Sequence, residues 1–204
     1  MIICNGSNIV YQVAKSEIQI QEALTLRHDI YLAMGYIDEP CENSIIPDEK
    51  NDCSEYIVGL KNAEELVGTI RLTPVEVFKE MFCEWEENFV PDSEAIIAKV
   101  NGCSSVELGA LAVKRGDGNR RVSWGLYKAT YLYSLIKKID YWVIAMDNVA
   151  LRSLEMLGWH VERVGDPIMY MGSMTTLGIM PVREQLCSIF QKNQRYYHYL
   201  STSS

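Results

Sequence analysis

The chain has 204 residues, 48% of them apolar, and 27 acidic against 19 basic side chains give a formal charge of −8. That composition builds one sizeable core, so residues 1–204 are read as a single domain. The charge excludes general nucleic-acid binding, because phosphate backbones select net positive surfaces.

Ile9 to Ala14 alternates as a first strand, and Ser16 with Glu17 opens a helix whose apolar positions (Ile20, Ala23, Leu24, Ile30, Tyr31) recur at three-to-four spacing. Residues 35 to 53 are polar, carry Gly35, Pro40 and Pro47, and read as a long covering loop. EYIVGL and ELVGTIRLTP, separated by KNAEE, predict an antiparallel hairpin, and Glu76 to Phe82 a short helix. SSVELGALAV is the next strand, Val122 to Ile139 a largely buried helix, DYWVIAM a buried strand, and residues 148 to 157 a short helix stopped by Gly158. WHVERVG and PIMYMGSM are expected as two strands, Val182 to Gln191 as a closing helix, and STSS as a frayed end. The order β, α, β, β, β, α, β, α, β, β predicts an α/β fold with a mixed sheet and helices on its faces.

No stretch reaches the ~20 apolar residues of a spanning helix, and MIICNGSNIVYQ lacks the pattern of a signal peptide, so a cytoplasmic protein is expected. Six cysteines without a C-x-x-C pair and three scattered histidines (His28, His160, His198) give no metal-ligand spacing; no metal site is expected.

Between the strand ending near Val113 and the following helix, Lys114, Arg115, Arg120 and Arg121 gather around a single acid, Asp117, with Gly116 and Gly118 to turn the chain. A helix N-terminus offers unpaired N–H groups and a partial positive charge, so this segment is read as an anion cradle, with a plain basic turn as the alternative.

This strand, loop and helix resemble the cofactor segment of the GNAT acyltransferase superfamily. That resemblance implies a twisted, largely antiparallel sheet splayed between two parallel strands, here those ending near Val113 and Met146. It implies that backbone at Leu111 and Val113 grips the pantetheine arm of an acyl donor. Arg115, Arg120, Arg121, Val122 and Ser123 would surround its phosphate. The chain departs from the common acetyltransferases, since RRVSWG spaces its glycine differently and Leu154 stands where those enzymes carry a tyrosine.

More specific motifs are similar to the autoinducer-synthase branch: LRHDIY with Arg27 and Tyr31, PDEKNDC with Asp48, G-T-I-R-L-T-P with Arg71, VELGALAV with Glu107, and LGWHVERVGDP. The likeness runs from about Tyr11 to Pro181. It implies an acyltransferase of the N-acyl amino acid synthase type, a relative of the acyl-homoserine-lactone synthases. Such an enzyme would take a long acyl chain from acyl carrier protein or from CoA as a thioester, hold no tightly bound cofactor, and pass the chain to an amino acid. Lactone synthases carry an arginine three residues after the glutamate and a second acid three after the aspartate; here Ala110 and Asn51 stand there. Those changes favour an amino acid over S-adenosylmethionine as acceptor.

Within that reading Glu107 is the candidate base, with a buried structural partner as its alternative. Arg71 lies in an apolar strand and needs an anion, either the acceptor's carboxylate or an acid of the protein. Arg27 and Asp48 either bind the acceptor or close the loop. The basic patch would dock acidic acyl carrier protein. LTPVEVFKEMF with Ile144, Met146, Met169, Met171 and Met174 would line an acyl pocket or simply the core. Two competing readings remain: a lactone synthase using S-adenosylmethionine, and a non-catalytic acyl-thioester-binding module.

Overall fold

A computed structural model describes residues 1–5, 8–75, 96, 98–116 and 119–202. Its chain divides into two compact units, one built from Met1–Leu72 and Gly109–Tyr133, the other from Thr73–Leu108 and Ser134–Ser203. Among the described residues the strands are β1 (Ile2–Asn5), β2 (Ile9–Val13), β3 (Glu55–Lys61), β4 (Glu65–Pro74), β5 (Ser105–Val113), β6 (Tyr141–Asp147), β7 (Glu162–Tyr170) and β8 (Ser173–Pro181). Their lateral order is β1-β2-β3-β4-β5-β6-β8-β7. Among the ladders described, β5 and β6 run parallel and the rest are antiparallel. This is the mixed sheet that the sequence predicts.

In the first unit, α1 (Glu17–Met34) starts at Ser16, whose hydroxyl accepts the Gln19 N–H, while the Gln19 side chain accepts the Lys15 N–H. This exchange satisfies the Gln19 amide, which the first helical turn leaves without a partner, and the Lys15 amide just before the cap. Gly35 ends the helix in the left-handed region at φ 73, where a side chain would be strained. Ala23, Leu24 and Leu26 of α1 pack on Tyr56, Val58 and Leu60 of β3. A second helix, α2 (Asn119–Lys137), begins in this unit on the opposite side of β4. Gly68 admits it: a Cβ there would strike Val122 and Leu126.

The β3–β4 register shifts by one residue between Gly59 and Leu60. Continued unshifted, the Leu60↔Leu66 pairing would set Tyr56 opposite Ile70. The shift sets it opposite Arg71 instead. Cross-strand partners share a face of the sheet. Tyr56, Val58, Thr69 and Arg71 therefore line the face that α1 covers.

In the second unit, Val143, Leu177 and Ile179 pack with Val75, Ile96 and Val100, and Trp142 and Trp159 lie with ring centroids 5.3 Å apart. Among the described residues, helices of this unit include α3 (Asn148–Met156), capped by Asp147, α4 (Gln185–Lys192) and α5 (Gln194–Ser201).

Several expectations change. WHVERVG and PIMYMGSM do not form separate strands: β7 runs through Gly165, Asp166 and Pro167 with a register shift, and the turn falls at Met171 and Gly172. Strands β1 and β8 and the closing helix α5 extend the predicted set. The helix expected from Val122 begins at Asn119, and its Leu135 and Ile136 are exposed rather than buried. The expected helix from Glu76 to Phe82 and the closing residues 203–204 lie outside the described residues.

Candidate functional site

Residue Arg71 enters the α1-covered face from the middle of an apolar strand and is 3% exposed. A lone guanidinium there would cost several kcal/mol in lost hydration, so it must meet an anion. It does: Arg71 Nη1 donates to Asp48 Oδ2 at 2.6 Å and to Asn51 Oδ1 at 3.0 Å. From α1, Arg27 Nη1 reaches the same two oxygens at 3.1 and 3.4 Å, and its guanidinium stands 5.2 Å from the Tyr31 ring centroid. The Tyr56 hydroxyl donates to Asn51 Oδ1 at 3.1 Å. Asp48, an acid of the protein, thus answers Arg71.

Both Asp48 and Asn51 come from the covering loop, whose two short 3-10 turns span Glu42–Ser44 and Glu49–Cys53. Asp48 Oδ1 accepts the Lys50 N–H at 3.0 Å, and the Asn51 amide donates to Ile46 O at 3.2 Å. His28 ties the loop's start to α1. Its Nε2 accepts the Cys41 N–H at 3.0 Å, which places the ring proton on Nδ1, 3.0 Å from Asp29 Oδ1. Burial pushes the Asp48 carboxyl toward a higher pKa, but the charge and hydrogen bond of Arg71, then Arg27 and the Lys50 amide, prevail and hold it below the ordinary value. Burial raises the Tyr56 phenol despite Arg71 and Arg27, so Tyr56 remains a neutral donor.

The expected donor segment also lies in the first unit. Leu111 and Val113 are half-buried on β5, and Ala110 between them and Glu107 has φ 51, an uncommon left-handed residue within a strand. The Lys114 ammonium pairs with Glu65 at 3.1 Å. Arg115 donates to Ala33 O at 3.2 Å and stands 3.1 Å from Met34 Sδ, giving the C-terminal end of α1 the cation its own last turn lacks. Two of the four cations are therefore engaged with the chain itself. Arg120 and Arg121 are exposed in the first turn of α2, Ser123 is half-buried, and the buried Val122 side chain packs toward Gly68, leaving its backbone as the group that can face an anion. Gly118 and Asp117 lie outside the described residues.

Glu107 belongs to the second unit, is 6% exposed, and sits at the last rung of the parallel ladder, opposite Val143. That ladder has three rungs, from Ser105↔Tyr141 to Glu107↔Val143, although β5 continues to Val113 and β6 to Asp147. Ile144 is fully buried, whereas Met169 and Met174 are exposed on the β7–β8 hairpin, away from the lining role expected of them. Among the described residues no group of His, Cys, Asp or Glu is arranged to hold a metal ion, and no helix is long and apolar enough to cross a membrane.

Sequence reasoning names Arg27, Asp48 and Arg71, and the structure brings these three together. It treats Asn51 only as a lost acid and misses Tyr56, which hides in an apolar strand pattern until the register shift is known.

Among solved structures, the acyl-homoserine-lactone synthase LasI aligns with TM-score 0.71 at 15% identity, over 92% of this chain and 97% of its own. The CoA-dependent acyl-homoserine lactone synthase BjaI, solved with SAM and isopentyl-CoA, aligns at 0.68 and 20% identity, over 94% and 90%. FeeM, an N-acyl amino acid synthase from uncultured soil microbes, aligns at 0.61 and 14% identity, over 91% and 97%. At these identities the likeness establishes the fold. Comparison with curated proteins found none that matches. The sequence model of the N-acyl amino acid synthase FeeM matches residues 22–177, well over half the chain and inclusive of Arg27, Asp48, Arg71 and Glu107. The chain belongs to the FeeM family of N-acyl amino acid synthases and is an acyltransferase.

Proposed function

We propose that the protein moves a long fatty acyl group from an acyl carrier protein thioester to the amino group of an amino acid. The observation that carries this is the family match over residues 22–177. In this reading a single acyltransferase domain lays the pantetheine arm along β5 beyond Glu107. The irregular backbone at Ala110 supports that placement. Backbone N–H groups at the start of α2 take the phosphate, with Arg120 and Arg121 exposed beside them for the acidic carrier.

The acceptor's amine attacks the thioester carbon, the C–S bond breaks, and the pantetheine thiolate leaves. Glu107 removes the amine's proton, directly or through one water, and strand N–H groups hold the oxyanion. Arg27, Asp48 and Arg71 orient the acceptor. Purified protein, acyl carrier protein thioesters and pooled amino acids, analysed by mass spectrometry, should yield acylated amino acids. Absence of product across chain lengths and with CoA thioesters alike would refute the reading. The likeness to LasI and BjaI favours a second reading, lactone synthesis from S-adenosylmethionine, which release of methylthioadenosine would reveal.

A further inference from the structure

Asn51 stands at the meeting point of three donors. Its Oδ1 receives Arg27, Arg71 and the Tyr56 hydroxyl, while its amide donates to the loop carbonyl of Ile46. A carboxylate at this position would give each arginine an acid. The amide leaves Arg27 with one carboxylate oxygen, shared with Arg71, and a neutral oxygen. Two further observations indicate that this face is built for more than its own residues. Arg27 is 6% exposed, yet its Nε has no hydrogen-bond partner among the described residues. On the same side of β4, two residues from Arg71, the buried Thr69 hydroxyl also lacks one. Buried donors without partners are rare and point to an absent ligand or water. The Asp48 side chain keeps 16% of its exposure, so solvent reaches the cluster along the covering loop.

We infer that Asn51 is a specificity-determining residue: by withholding a second negative charge it keeps the Arg27 guanidinium open to the carboxylate of the acceptor. The inference rests on the proposed acyl transfer to an amino acid and deepens it. The substrate class is an amine bearing a free carboxylate, which a guanidinium edge receives through charge-assisted hydrogen bonds. Amines whose carboxyl is blocked leave those donors empty.

The experiment compares kcat/KM for the amino acid giving most product in the pooled assay with that for its primary amide, in wild type, Asn51→Asp and Asn51→Ala. Wild type should prefer the acid by about tenfold or more, as expected of a hydrogen bond to a charged group. Asn51→Asp should abolish or invert that preference. Asn51→Ala loses the bonds to Ile46 and Tyr56 without adding charge, and should keep the preference even where its rate falls. Loop damage alone lowers both substrates together and leaves the ratio unchanged. A wild-type ratio near one, an unchanged ratio in Asn51→Asp, or equal loss in both variants overturns the inference while acyl transfer stands. No acylated amino acid from wild type overturns the functional reading and this inference with it.

Discussion

Arg27 of α1 and Arg71 of β4 donate to one and the same atom, Oδ2 of Asp48, at 3.1 and 2.6 Å. Two buried cations are thus held side by side by a loop residue. Without it they repel each other, and neither can regain its hydration. Asp48→Ala should lower unfolding stability by about 3 kcal/mol, toward the lower end for a broken buried pair because Asp48 keeps some solvent contact. Urea unfolding of the variant beside wild type measures this.

The same contact sets an acid dependence. Asp48 is held below its ordinary pKa, so its contribution is complete above the unfolded-state value of about 3.9. It is lost as pH falls through the depressed value. The stability gap between wild type and Asp48→Asn should therefore stay constant from about pH 7 to pH 5 and close in stronger acid. A gap that widens on acidification would contradict the assignment.

With Glu107 as the base, Glu107→Gln keeps the shape and removes the proton acceptor. Its kcat should fall by about 10²- to 10³-fold with little change in donor KM. Steady-state kinetics decides it, and a variant with wild-type kcat removes Glu107 from the chemistry.

Reversal of the two exposed cations, Arg120→Glu with Arg121→Glu, should raise KM for a carrier-protein donor by about tenfold or more at low salt. The defect should shrink as salt screens the encounter. Lys114 and Arg115, engaged with Glu65 and the end of α1, should contribute less to this salt dependence. Equal behaviour of variant and wild type at all ionic strengths places the docking surface elsewhere.

Gly125 lets the Tyr11 ring lie against α2, where the hydroxyl donates to Arg121 O at 3.4 Å; a Cβ would overlap the ring and its oxygen. Gly125→Ala should destabilise by about 2 kcal/mol, typical of overpacking. Tyr11→Leu in the same chain should recover part of the loss. Thermal melts of the two single variants and the double variant measure the coupling.

Most elements are legible because their signals are local. Ser16 and Glu17 announce α1, and the spacing of EYIVGL and ELVGTIRLTP announces a hairpin. The misread strands fail for a physical reason: Gly165, Asp166 and Pro167 have turn chemistry, yet they form an irregularity inside β7, while the true turn uses Met171 at φ 45, a residue that propensity does not flag. The arginine–aspartate cluster is legible in part, since a charge in an apolar strand demands a partner. Its full membership is not, because the Tyr56–Arg71 pairing depends on a one-residue slip at Gly59 that hydrophobic alternation does not encode.

The irregular β7 has a consequence for how copies of this chain meet. Among the described residues β7 closes the lateral order of strands, and such a margin is a template on which another polypeptide can add itself. The break in register between Val164 and Ile168, with a proline that has no amide hydrogen to offer, interrupts that template midway. Neither remaining segment offers a long uninterrupted row for strand-to-strand stacking. The protein should accordingly resist edge-seeded fibril growth from this margin, even with methionines exposed nearby.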